Sequence, residues 1–123
     1  RLTPVTRVEP ITYANVIGVG ESIGTIFPLL GEGITPSLQS AEILYRLLTE
    51  GEFSGVSYRD ELHRKLGYYD DVYKILRLKM EDKFSMLRHS RLLYRVYKRM
   101  KEEEDRYGFE VSMDKFVKLL NSI

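Results

Sequence analysis

Apolar and polar residues divide the chain into one short strand-like stretch and a series of helical ones. Tyr13 to Val19, "YANVIGV", is apolar and partly β-branched over seven residues, which predicts a buried strand. Further on, Leu38, Ala41, Leu44 and Leu48 recur at helical spacing and predict a helix over about residues 36–50. Thr35 fits its N-cap, Pro36 its first position and Gly51 its left-handed C′ position. A short helix follows from Tyr58 to Leu66, ended by Gly67. Tyr69 to about Arg88 reads as a longer helix carrying Val72, Leu76, Met80, Phe84 and Leu87 on one stripe. After a bend near His89 and Ser90, Arg91 to Arg106 continues as a helix on Leu93, Val96, Tyr97 and Met100, stopped by Gly108. Ser112 suits the N-cap of a last helix, Met113 to Leu120, with Phe116, Leu119 and Leu120 inward.

The glycines change this picture. Five of the nine fall between Gly18 and Gly33, so backbone geometry shapes the first third and helices the last half. Gly18 and Gly20 begin a dinucleotide-like spacing, but its third glycine would stand at Ile23. The helix also opens some ten residues too late for that motif. No Gly-Lys-Ser/Thr follows, so the P-loop fails as well. "GEGI", residues 31–34, remains, at the N-terminus of the predicted helix. Free N–H groups and the helix dipole favour anions or electron-rich atoms there. Gly31 and Gly33 allow close approach of a flat ligand, Pro28 stiffens the loop, and Glu21 can accept bonds from ligand hydroxyls. Equally, glycine and proline between a strand and a helix are ordinary turn chemistry.

"VIGVGESIGTIFPLLGEGITPSLQSAEIL", residues 16–44, resembles the second FAD-contacting segment of the geranylgeranyl reductase family, within the p-hydroxybenzoate hydroxylase group of flavoproteins. Gly20-Glu21-Ser22-Ile23-Gly24 stands where the family has Gly-Asp-Ala-Ala-Gly, and Pro28 matches the family proline. Gly31-Glu32-Gly33-Ile34 matches outright; residues 61–79 look like the family's C-terminal helical region, more weakly. The resemblance implies FAD as cofactor, with Gly20 and Glu21 near its ribityl or pyrophosphate part and Gly24 also among the contacting residues. Pro28, Gly31, Glu32, Gly33 and Ile34 would line the isoalloxazine ring. Glu21 replaces the usual Asp and displaces the carboxylate by about one bond length. The family carries its G-x-G-x-x-G segment and substrate sheet ahead of this portion. The chain opens at Arg1 without a methionine, as a processed product or a piece of a larger protein does. It is expected to be the C-terminal part of a flavin-dependent reductase of isoprenoid C=C bonds, inactive alone and holding FAD weakly or not at all.

The expected fold is mostly α with one or two short N-terminal strands, a fragment of an α/β FAD-binding fold followed by a helical region. Residues 1–51 would form the flavin segment and 52–123 the helices, packed as one unit. A strand without its sheet invites pairing, so a homodimer through residues 1–20 is expected. The alternative, read without the resemblance, is a helical interaction or dimerisation module with no cofactor.

Composition adds limits. With 123 residues, 43% hydrophobic and 30% charged, the chain suits one modest core rather than a disordered tail. No apolar run approaches the roughly 18 residues of a membrane span. The first ten residues lack the apolar stretch of a signal peptide. The absence of cysteine excludes disulfides and thiol chemistry within the chain and fits a cytoplasmic location, at the membrane periphery if lipid is bound. Net charge is only +1, but Lys74 to Lys101 holds ten Lys or Arg against Glu81 and Asp82, a local excess of +8. A solvated face is the plainest reading; an anionic lipid surface comes next, because the resembled family reduces isoprenoid chains on lipids. Nucleic acid comes third and is not expected, despite Tyr94 and Tyr97 among the cations. His63 and His89, 26 positions apart, do not make a metal site. No nucleophile–base pattern appears, so no catalytic residue is expected. Tyr68 and Tyr69 are expected in a core or an interface; the family resemblance adds the wall of a lipid tunnel.

Overall fold

A computed structural model of the chain describes residues 8–108 and 110–123. It is mostly helical with one small antiparallel sheet. The chain forms two compact units, Arg1–Tyr73 and Lys74–Ile123.

The first unit opens with a hairpin where the sequence predicts one strand. β1, Thr12–Tyr13, pairs with β2, Val16–Ile17, in the register Thr12 with Ile17 and Tyr13 with Val16. Ala14 takes a positive φ of 51°, which turns the chain within two residues and matches the twist of the paired strands. The apolar run is therefore folded on itself, and Tyr13 and Val16 are exposed rather than buried. Self-pairing through residues 1–20 includes residues 1–7, which lie outside the described residues.

A 3-10 turn, Gly20–Ile23, follows, with Gly20 and Gly24 both at positive φ. The loop then closes on itself: the Phe27 N–H donates to Glu32 O at 2.7 Å and the Gly31 N–H to Phe27 O at 2.9 Å. The Phe27 ring lies beneath this loop, fully buried against Tyr69 at 5.1 Å and Tyr68 at 6.1 Å between centroids.

α1 spans Ile34–Thr49. Its N-cap is Gly33, and the cap bond comes from the Glu32 carboxylate, which accepts the Thr35 N–H at 2.7 Å. Thr35 is thus inside the helix, not its cap. At the far end the Glu52 N–H reaches Leu47 O and the Gly51 N–H reaches Leu48 O, with Gly51 at φ 72°. This Schellman pair places Gly51 at C′ as its sequence position predicts. The buried face is Pro36, Gln39, Ser40, Ile43 and Leu47. It is not the predicted stripe: Leu38 is 67% exposed, and Ala41 and Leu48 are exposed too.

α2, Gly55–Leu66, begins three residues earlier than predicted because Ser54 and Ser57 cap it reciprocally. It buries Tyr58, Leu62 and Leu66 and packs on α1, joined by the Arg46–Glu61 ion pair at 3.0 Å.

α3, Tyr68–Met80, starts in the first unit and ends in the second. The predicted helix to Arg88 stops eight residues short. Asp82 adopts φ 53°, and the Asp82 and Lys83 N–H groups bond back to Lys79 O and Leu78 O. This is the arrangement found after α1, with aspartate in place of glycine; Asp tolerates the left-handed region better than most residues. Val72 and Leu76 are buried as predicted, but Met80 and Leu87 are exposed.

Beside this stop, Glu81 accepts hydrogen bonds from Lys83 and Arg77, both at 2.9 Å. The Lys83 ammonium first, then the Arg77 guanidinium, hold its carboxyl down to about 2 from 4.5. A depressed carboxyl stabilises the fold above its unfolded value and loses that contribution as pH falls through the folded one. A carbon-detected NMR titration of Glu81 should therefore show its midpoint near 2, moving upward in high salt because the group is exposed. An ordinary glutamate midpoint at low salt would mean that the two ion pairs do not form.

In the second unit α4, Ser90–Glu102, buries Leu92, Leu93, Val96 and Met100. α5, Glu104–Tyr107, is a single turn stopped by Gly108 at φ 67°. The predicted helix from Arg91 to Arg106 is thus broken at Glu103, which is buried and pairs with Arg99. α6, Met113–Ser122, has the predicted Ser112 cap, whose hydroxyl accepts the Lys115 N–H. Its Phe116 and Leu120 are buried, with Phe116 against Tyr97, and the Lys79 ammonium caps the carbonyl of Leu120.

Candidate functional site

The turn after β2 and the first turns of α1 border an open cleft of about 640 Å³. Val19, Gly20 and Glu21 form one side; Ile26, Gly31, Gly33, Ile34, Ser37 and Leu38 form the other. The volume lies within the range of small-molecule sites.

Ser40 holds the two sides together. Its hydroxyl is fully buried, accepts the Gly20 N–H at 2.9 Å and donates to Ser37 O at 2.7 Å. A Cβ on Gly20 would meet the Ser37 side chain at 3.1 Å, so glycine and two serines let the backbone turn lie directly on the helix. From α2, the buried Tyr58 hydroxyl donates to Gly18 O at 3.1 Å, within reach also of Ser40 O at 3.4 Å. Burial pushes its pKa up. These bonds tie the Gly18–Gly20 backbone to α1 and to the following helix.

Of the residues predicted for a flavin site, the structure brings Gly20, Glu21, Gly31, Gly33 and Ile34 to one cleft. Gly24 and Pro28 are buried and do not line it. Gly24 serves as the left-handed end of the 3-10 turn. Glu32 does not line it either: its carboxylate is occupied in capping α1. Val19, Ile26, Ser37 and Leu38 were not predicted. Ser37 and Leu38 follow Ile34 by three and four residues, so helical spacing alone could have found them. Ile26 carried no such signal.

The wall discriminates between ligand chemistries. In the first turn of α1, Pro36 has no N–H, the Thr35 N–H is taken by Glu32, and the Ser37 N–H bonds Gly33 O. The Ile34 N–H, and the Gly33 N–H ahead of it, make no hydrogen bond among the described residues. The Glu32 carboxylate already answers the helix dipole, Glu21 adds a second carboxylate, and no Lys or Arg lines the cleft. This lining opposes a pyrophosphate. The wall at Gly31 is bare backbone, where a Cβ would meet nothing within 4 Å, and at Gly33 it would touch only Ile26 at 3.4 Å. Val19, Ile26, Ile34 and Leu38 supply apolar surface around it.

No family model, curated protein or solved structure matches the chain. Among the described residues no group of three His, Cys, Asp or Glu side chains is placed to hold a metal ion. Among them, too, no helix is long and apolar enough to cross a membrane.

Proposed function

We propose that this chain is the C-terminal part of an FAD-dependent oxidoreductase resembling the geranylgeranyl reductases, and that its cleft forms one wall of the flavin site. The observation that supports this is the convergence of the Gly20–Glu21 turn with Gly31, Gly33 and Ile34 at one cleft whose lining is more apolar than polar and holds no cation. Gly31 and Gly33 would lie against the isoalloxazine, the Ile34 N–H would face an acceptor on it, and Glu21 would reach toward ribityl hydroxyls. The ADP half would be held by an FAD-binding portion outside these 123 residues. When bound, the flavin supplies the hydride for reducing an isoprenoid C=C bond. The residues of this chain orient the ring and exclude water from one face.

A second reading is favoured by one observation. Ile34, Leu38, Ala41, Tyr45 and Leu48 form an exposed apolar stripe along α1 at spacings of four and three, with Glu42 as the one charged neighbour on that face. Such a stripe has the form of a helix–helix seam. On this reading the chain is an interaction or dimerisation module, and the glycine loop is only a turn.

One titration separates the two. In ¹⁵N spectra, riboflavin at about millimolar concentration is expected to shift the amides of Gly20, Glu21, Gly31, Gly33 and Ile34, and ADP is not. The purified chain should carry no stoichiometric flavin. Amides of Leu38, Ala41, Tyr45 and Leu48 that move with protein concentration, with no response to riboflavin, would establish the second reading instead. Tightly held FAD in the isolated chain would overturn the half-site.

A further inference from the structure

We propose that the segment from Met80 to Lys98, in the second unit, docks on an anionic lipid bilayer, with Leu87 entering the interfacial layer. The inference rests on nothing in the cleft and stands or falls separately from the flavin reading.

The connection between α3 and α4 exposes large apolar side chains. Leu87 is 90% exposed and Met80 73%, and Met86 and Tyr94 are also exposed. Isolated exposed apolar residues are ordinary on a protein surface. Here four occur within fifteen residues, and the segment is held in shape. The Schellman stop at Asp82 fixes its start. Near its end the His89 ring stacks on Phe84 at 5.6 Å and its Nδ1 lies 3.1 Å from the Ser85 N. The His89 N–H donates to Ser85 O, and the Leu93 N–H then donates to His89 O, so the turn bearing Leu87 runs directly into α4. Burying Leu87 would require unmaking that turn.

Cations surround these residues. Lys83, Arg88, Arg91, Arg95 and Lys98 lie in the segment against Glu81 and Asp82, and Glu81 is engaged by Arg77 and Lys83. Arg88, Arg91 and Lys98 form no ion pair among the described residues. Along α4 the two sides separate cleanly. Leu92, Leu93, Val96 and Met100 are buried, while Arg91, Tyr94, Arg95 and Lys98 recur on the exposed side at helical spacing. Leu87 and Arg88 precede Arg91 by four and three residues, continuing that line. An exposed aliphatic residue flanked along the chain by exposed Lys and Arg is the pattern of a helix and loop that lie on a charged bilayer.

Charge complementarity selects the occupant. A second copy would bring five cations against five. A nucleic-acid backbone would satisfy the cations and stack on Tyr94, but it offers nothing to Leu87, Met86 or Met80. Only an anionic bilayer answers both sets.

The full chain should sediment with vesicles of phosphatidylcholine mixed with phosphatidylserine, and not with phosphatidylcholine alone. Raising salt should weaken binding. Arg88→Gln and Arg91→Gln should each lower the partition constant about fivefold. Leu87→Asp should lower it about tenfold or more, with helix content by circular dichroism unchanged because the side chain makes no core contact. Absence of binding to the anionic vesicles overturns the proposal. So does binding that Leu87→Asp leaves intact, which would be attraction of charge alone. Tighter binding to duplex DNA than to the vesicles, indifferent to Leu87→Asp, would assign the cations to nucleic acid.

Discussion

Phe27→Ala is expected to destabilise the first unit by about 3–5 kcal/mol, a large share of the stability of a domain this size. The ring is 0% exposed and touches both Tyr68 and Tyr69. Removing it takes away its transfer free energy and leaves a void that the loop above can fill only by moving. That loop is clamped to the same residue by the Phe27 N–H to Glu32 O and Gly31 N–H to Phe27 O bonds. Collapse into the void would therefore pull Gly31 and Gly33 away from the cleft wall. Urea unfolding followed by near-ultraviolet circular dichroism of the tyrosines should show the loss. A change below about 1 kcal/mol would mean that Phe27 is not the core of this unit.

Ser40→Ala is expected to cost about 2 kcal/mol, a smaller amount with a more local origin. The Gly20 N–H donates to the Ser40 hydroxyl at a buried position. The alanine methyl would leave that donor unsatisfied, and the penalty is the desolvation of an amide rather than the net value of one hydrogen bond. Tyr58 would still hold Gly18 O, so the unit should stay folded. Hydrogen exchange at Gly20 should accelerate well beyond the change at Leu47 on the same helix. Equal acceleration at both would indicate global loosening and remove Ser40 from its role as the tie across the cleft.

Chain stops were legible wherever glycine made them. Gly51 and Gly108 end their helices with positive φ, as their positions predict, because glycine enters that region without steric cost. Asp82 makes the same stop as Gly51 but is only one acidic residue among many, so the sequence carries an unbroken apolar stripe through it to Leu87. Caps made by oxygen-bearing side chains divided similarly. Ser112 announces itself before Met113, whereas the cap of α1 comes from Glu32, two residues ahead of the helix, and Thr35 looks the better candidate.

For the cleft, it was the family resemblance, not spacing, that set the Gly20–Glu21 turn beside the Gly31–Ile34 loop, and both line it. The sequence could not tell that Gly24 and Pro28 turn inward, or that Glu32 is spent on the helix end.

The local rules of backbone and periodicity thus determined that this chain is mostly helical, where most of its helices lie, and that its glycines gather beside one helix N-terminus. Which side of α1 faces inward was decided only in three dimensions. Both sides are apolar enough to be buried, and hydrophobic spacing favours the wrong one. Small residues decided it: Ser37 and Ser40 let Gly20 rest on the helix, and the Ser40 hydroxyl satisfies a buried N–H that no leucine could. Burying that polar contact fixed the rotation of α1, and the rotation left Ile34 and Leu38 at the mouth of the cleft.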